Sequence, residues 1–172
     1  MAATDRSSAR IIRRAALSLL LPALAAPAAA ELRPVGVYGQ WGAFRKDDPK
    51  SCYAIAEPHR APRAIDWKPF AAVGTWPARN VRSQIHFRLS REKREGSAVL
   101  LKIADQTFQL LAGRRDAWAP DARADAQIVA AMRSGVEMTI ETRGANGALV
   151  RDAYRLQGAA TAIDAAAIAC AS

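Results

Sequence analysis

The chain is poor in the side chains from which most catalytic and metal centres are built. It has two histidines, His59 and His86, and two cysteines, Cys52 and Cys170, among 172 residues. Four such residues at these wide separations match no zinc or iron–sulfur ligand spacing, so neither a metal nor a cofactor is expected. Acyl transfer through serine needs a nucleophile, a base within reach and an oxyanion hole; no G-x-S-x-G motif occurs, and neither histidine lies near one. Two carboxylates suffice for glycoside cleavage when suitably spaced. The candidates, Asp47 with Asp48 in a polar turn and Asp121 with Asp125 at a helix start, are explained by solvent and capping. No catalytic residue is nominated. Aromatic residues make up only 6% of the chain, no internal repeat is visible, and no nucleic-acid-binding motif occurs. Long apolar runs are also missing: the longest, AALSLLLPALAA at 15–26, falls short of the ~20 residues that span a bilayer as a helix.

That short run has a meaning of its own. Arg6, Arg10, Arg13 and Arg14 precede it, and Ala28, Ala29 and Ala30 follow it, which is the grammar of a secretory signal peptide over 1–30 with cleavage between Ala30 and Glu31. An alternative cut lies after Ala28, and an uncleaved anchor is the rival reading. Arg13-Arg14 raises twin-arginine export, but Ala15-Ala16-Leu17 lacks the bulky residues that usually follow the pair. The whole chain carries 25 Lys+Arg against 16 Asp+Glu; without the four Arg and one Asp of 1–30 the balance is 21 against 15, a net +6. Such a charge draws a protein toward anionic surfaces such as lipid head groups, lipopolysaccharide or acidic glycans, and an exported chain seldom meets nucleic acid. Residues 31–172 are enough for a single domain with one core and no transmembrane helix, placed in the periplasm or secreted.

In an oxidising compartment the pair Cys52 and Cys170 reads as one disulfide stapling the C-terminal segment to an early strand; two unpaired thiols are the alternative. Between them the sequence reads as about eight strands, at 35–44, 51–56, 70–76, 81–89, 98–103, 106–111, 136–142 and 149–156. The segment 81–89 alternates most cleanly: Ile85, Phe87 and Leu89 fall on one face and Gln84, His86 and Arg88 on the other, which makes His86 a surface histidine. Asn146-Gly147 is the strongest hairpin signal. Asp121 caps a helix whose apolar stripe is Ile128, Val129 and Met132 and whose stop is Gly135, and the Ala-rich stretch 158–171 forms a second helix. The fold class expected is mainly β: an antiparallel β-sandwich, immunoglobulin-like, with two short helices.

Three stretches, GQW at 39–41 with CYAIAEP at 52–58, IVAAMRSG at 128–135 leading into MTIE at 138–141, and YRLQGAATAID at 154–164, resemble the invasion-associated locus B family, of which the chain would be a divergent member. The resemblance runs in order over most of residues 31–172. It implies an exported bacterial β-sandwich, periplasmic or surface-associated, in a family named for its link to host-cell invasion, with no catalytic residues to carry over. The function expected is therefore that of a non-enzymatic envelope protein acting by binding an envelope or host-surface component. The alternative is a small periplasmic enzyme or enzyme inhibitor acting on cell-wall or glycan material.

One stretch nominates a contact. Arg88, Arg91, Lys93 and Arg94 fall within seven residues, offset by Glu92 and Glu95, in a segment that reads as the tip of a hairpin between 81–89 and 98–103. It is either a solvated turn that guards a strand edge or the contact with an anionic polymer or membrane surface.

Overall fold

The computed structural model describes residues 31–63 and 67–171; the signal peptide read at 1–30 lies outside the described residues. The chain forms β1 (Leu32–Tyr38), β2 (Trp41–Asp47), β3 (Lys50–Ala56), β4 (Phe70–Trp76), β5 (Val81–Arg88), β6 (Val99–Ile103), β7 (Gln106–Ala112), β8 (Asp116–Trp118), α1 (Ala122–Ser134), β9 (Glu137–Arg143), β10 (Leu149–Arg155) and α2 (Ala159–Ala171). It is mainly β, antiparallel throughout, with two short helices.

All ten strands belong to one sheet, in the order β1-β2-β3-β4-β5-β8-β7-β6-β9-β10. The first five strands are sequential neighbours. The chain then crosses over without adding a strand of its own, and β6-β7-β8 returns as a meander that lays β8 against β5, a Greek-key arrangement. The sheet folds over on itself. Phe87 on β5 meets Tyr154 on β10 with ring centroids 6.4 Å apart. His59 N–H donates to Ala153 O at 2.9 Å, Ala153 N–H donates to Arg60 O at 2.7 Å, and the Trp41 indole N–H donates to Arg155 O at 2.9 Å. The two layers are thus halves of a single sheet.

Alternation places the core. On β5 Ile85 and Phe87 are buried, while Gln84, His86 and Arg88 lie on the outward face. Beside Trp41 and Val73, the inward face of β2 to β4 carries the small residues Ala43, Ala54, Ala56 and Ala71, which let α2 approach closely with its own buried Ala159, Ala162, Ile163 and Ala166. Cys170 near the end of α2 is joined to Cys52 on β3, with Cα atoms 5.7 Å apart, so the two cysteines form the disulfide and the unpaired-thiol reading is excluded. The other helix, α1, packs on β5 and β7.

The sequence reading needs three corrections here. The single strand read at 35–44 is a hairpin, because Gly39 adopts φ +60° and turns the chain between β1 and β2. That tip docks where β10 passes into α2: Gly158 has φ +87°, and a Cβ there would come within 1.9 Å of Tyr38 O. The loop read at 113–121 contains β8, too short to show alternation. Residues 89–98 are not a hairpin tip, because β5 pairs with β4 and β8 whereas β6 pairs with β7 and β9.

Candidate functional site: a cationic crossover

The crossover is tied down by a buried polar contact at its start and by backbone bonds along its length. Immediately after β5, Ser90 is fully buried, its N–H donating to Asp152 Oδ2 at 2.8 Å and its hydroxyl to Asp152 Oδ1. Burial pushes the Asp152 carboxyl up from its ordinary pKa, the Ser90 bonds opposing this. Further along, Leu89 N–H donates to Arg115 O at 2.7 Å, Lys93 N–H to Arg114 O at 2.8 Å and Arg94 N–H to Arg143 O at 2.7 Å, while Ala145 N–H donates to Glu92 O at 2.9 Å. The crossover is a strap held between the β7–β8 turn and the β9–β10 turn. The second of these is the Asn146-Gly147 turn anticipated from sequence, with Gly147 at φ +81°.

This strapping assembles a charge cluster from three parts of the chain. Lys93 and Arg94 come together with Arg114 from the β7–β8 turn and Arg143 from the end of β9, and Arg115 joins them at Glu92. Glu92 is the central acid: Arg114 donates to its Oε2, and Arg115 donates twice to its Oε1, at 2.7 and 2.8 Å. Those bonds, Arg115 first, hold the Glu92 carboxyl below the usual carboxylate range. Among the described residues two other cations bond only to carbonyls, Lys93 to Arg94 O and Arg143 to Gly147 O at 3.5 Å, whereas Arg91 bonds to Ser90 O and its charge acts on the Asp152 carboxylate. Glu92, Lys93, Arg94, Glu95, Ala112, Gly113, Arg114 and Ala145 line a cleft of about 520 Å³ here. At its rim the Arg115 guanidinium lies 4.1 Å over the Trp67 ring, whose indole N–H donates to Leu89 O at 2.7 Å.

Of the four cations nominated from sequence, Lys93 and Arg94 join the cluster; Arg91 turns to Ser90 O and Asp152, and Arg88 lies elsewhere. Arg88 points to the outward face of β5, bonded to Asp116 at 3.0 Å and lying 5.4 Å over the Phe70 ring. Arg114, Arg115 and Arg143 were missed, since no local pattern links them to residues 91–94. Asp121 does cap α1, accepting from Ala124 N–H at 2.8 Å. Asp125 is not a solvent-facing carboxylate: it is buried and accepts the Ile85 N–H at 2.7 Å, a bond that pins β5 to α1. Among the described residues no three His, Cys, Asp or Glu side chains gather where they would hold a metal ion, and no helix is long and apolar enough to cross a membrane. No family model, curated protein or solved structure matches the chain.

Proposed function

We propose that the protein is exported and acts in the periplasm or beyond it as a non-enzymatic binding protein, and that it grips an anionic envelope or host-surface component through the crossover. The observation that carries this reading is a cleft lined by Lys93, Arg94 and Arg114 against Glu92 and Glu95, beside which Arg115 bonds to Glu92 and the Arg143 carbonyl holds the Arg94 N–H. Among the described residues Lys93 and Arg143 bond only to carbonyls, which leaves positive charge for a partner. The Cys52–Cys170 disulfide supports an oxidising compartment. The resemblance to the invasion-associated locus B family points the same way.

The test is binding to soluble polygalacturonate and to vesicles containing phosphatidylglycerol, measured across a salt series. Affinity for at least one should fall as salt rises, because exposed charges more than ~8 Å apart are screened at 0.15 M ionic strength. The triple variant Arg94→Ser, Arg114→Ser, Arg143→Ser should weaken low-salt binding by about tenfold or more and leave the melting temperature nearly unchanged. Undiminished binding by that variant would rule the crossover out.

A further inference from the structure

A second surface begins where the crossover leaves β5. On the outward face of the sheet the pairing register aligns Gly42, Ile55, Ala72, His86, Trp118 and Leu111 in one row across β2, β3, β4, β5, β8 and β7. Five steps at the ~4.8 Å strand spacing make the row about 24 Å long. Rings stand along it. Trp118 and His86 are stacked, with centroids 5.1 Å apart and planes within 3°, and Phe70 meets His86 edge-on at 5.1 Å. At the far end Phe44 stacks with Tyr53 at 5.9 Å. None of this builds the core, which lies on the opposite face; Trp118 remains 36% exposed and Leu111 58% exposed.

The polar groups beside the rings narrow the class of ligand. Asp116 Oδ1 takes both the His86 Nε2 contact at 2.9 Å and the Arg88 Nε–H at 3.0 Å, while its Oδ2 has no partner among the described residues. Here, unlike at the crossover, opposite charges offset one another, so the patch has no call for a phosphate. It offers aromatic faces and, at their edge, one free acceptor and a guanidinium. A pyranose has the matching form: an apolar C–H face that packs on a ring and a rim of hydroxyls that both donate and accept. A bilayer fits worse, since pressing this face into lipid would strip water from Asp116, Arg88 and His86 with nothing to replace it. A hydroxyl instead replaces the lost water. Arg88 is followed by Leu89, on whose carbonyl Trp67 is held under Arg115, so the ring-bearing face and the cationic cleft adjoin.

We propose that the outward face of β4, β5 and β8 is a saccharide-binding subsite, and that the anionic partner of the crossover is an acidic polysaccharide, its sugar rings against Trp118 and Phe70 and its acid groups at the cations. This rests on the crossover reading, and the experiment separates the two. The oxidised protein is titrated with polygalacturonate, with neutral dextran and with phosphatidylglycerol vesicles, following tryptophan fluorescence and sedimentation. Expected is binding of polygalacturonate in preference to vesicles, with Trp118→Ala weakening it about tenfold by a factor that persists as salt rises. Trp118→Phe should retain most of the affinity, and the crossover triple variant should lose its effect at high salt. If Trp118→Ala melts below the assay temperature, Leu111→Asn at the exposed position beside it carries the same expectation. Polygalacturonate binding that depends on the crossover but not on Trp118 or Leu111 overturns the subsite and leaves the crossover standing. Vesicle binding without polygalacturonate binding likewise overturns the saccharide and keeps the cations. Absence of binding to either anionic probe removes both readings.

Discussion

The folded-over sheet is fastened at two places by different chemistry. Where α2 covers β1 to β4 the contact is apolar and covalent: alanine against alanine, with Cys52 bonded to Cys170. Where the crossover meets β10 and the β9–β10 turn, the contact is made of a buried carboxylate, backbone amides and a ring of guanidinium groups. An apolar, disulfide-bonded seam is indifferent to salt and depends little on pH. A seam built around the buried Asp152 depends on pH, and it is the one beside the cations proposed to meet a partner. If that proposal holds, stability is concentrated at one end and recognition at the other, and changes at the two ends should have separable effects.

The largest expected effect lies at the α2 seam. The disulfide closes a loop of 118 residues by sequence separation, for which loop-closure entropy gives about 4–5 kcal/mol. Replacing both cysteines with alanine, which fits the buried sites, should lower the urea midpoint by a large fraction of the whole stability. Binding at the crossover, measured at a temperature where the variant is folded, should be unchanged. Equal midpoints for the two proteins would show that the seam is held by packing alone.

A smaller effect is expected at the other seam. Asp152→Ala leaves the buried Ser90 N–H without an acceptor, at a cost of about 1–3 kcal/mol. The pH dependence sharpens the case. Because burial raises the folded-state pKa of Asp152, and likewise of Asp125, above the unfolded value, their contribution is fully present below the ordinary aspartate range. It is lost as pH rises through the raised folded values. The exposed Glu92, Glu141, Asp47 and Asp164, held low by neighbouring arginines or a lysine, slope the other way and lose their contribution as pH falls. Asp152→Asn keeps an acceptor for Ser90 N–H but has no charge to bury. Urea midpoints measured from pH 4 to 8 should therefore decline less steeply in Asp152→Asn than in the parent. Parallel curves would mean that Asp152 is not the source of the slope.

How much of this was legible in the sequence follows from how local each feature is. The faces of β5, the Asp121 cap and Gly135 stop of α1, the Asn146-Gly147 turn and the cysteine pair all rest on spacings of a few residues or on residue scarcity, and the sequence displays them directly. The crossover does not. Two adjacent apolar stretches, 81–89 and 98–103, look like hairpin partners until the three-residue β8 intervenes, and its insertion is decided by pairing across the sheet rather than by any pattern in Asp116, Ala117 and Trp118. The cation cluster was half visible for the same reason: residues 91–94 are contiguous, whereas Arg114, Arg115 and Arg143 reach them only through bonds between distant turns. Asp125 was misread because a carboxylate in the first turn of a helix has a ready local explanation, and its bond to Ile85 N–H is 40 residues away.

The smallest effect on stability, and the most informative about recognition, should come from Glu92→Gln. Glu92 sits between Arg114 and Arg115 and is the acid at the centre of the cationic cleft. If its role were to hold the fold, neutralising it would loosen the crossover. The backbone bonds of Leu89, Lys93, Arg94 and Ala145 already do that work without its charge, so the melting temperature should stay close to the parent's. An anionic ligand, by contrast, competes with Glu92 for the same two guanidinium groups. Removing one negative charge a few ångströms from the ligand should tighten low-salt binding of polygalacturonate by about fivefold. The gain should fade as salt shortens the screening length from ~10 Å at 0.1 M to ~3 Å at 1 M. Weaker binding by Glu92→Gln would instead make Glu92 the group that aims Arg114 and Arg115 at the ligand, and a Glu92→Asp variant, which keeps the charge on a shorter stem, would then fall between parent and Gln.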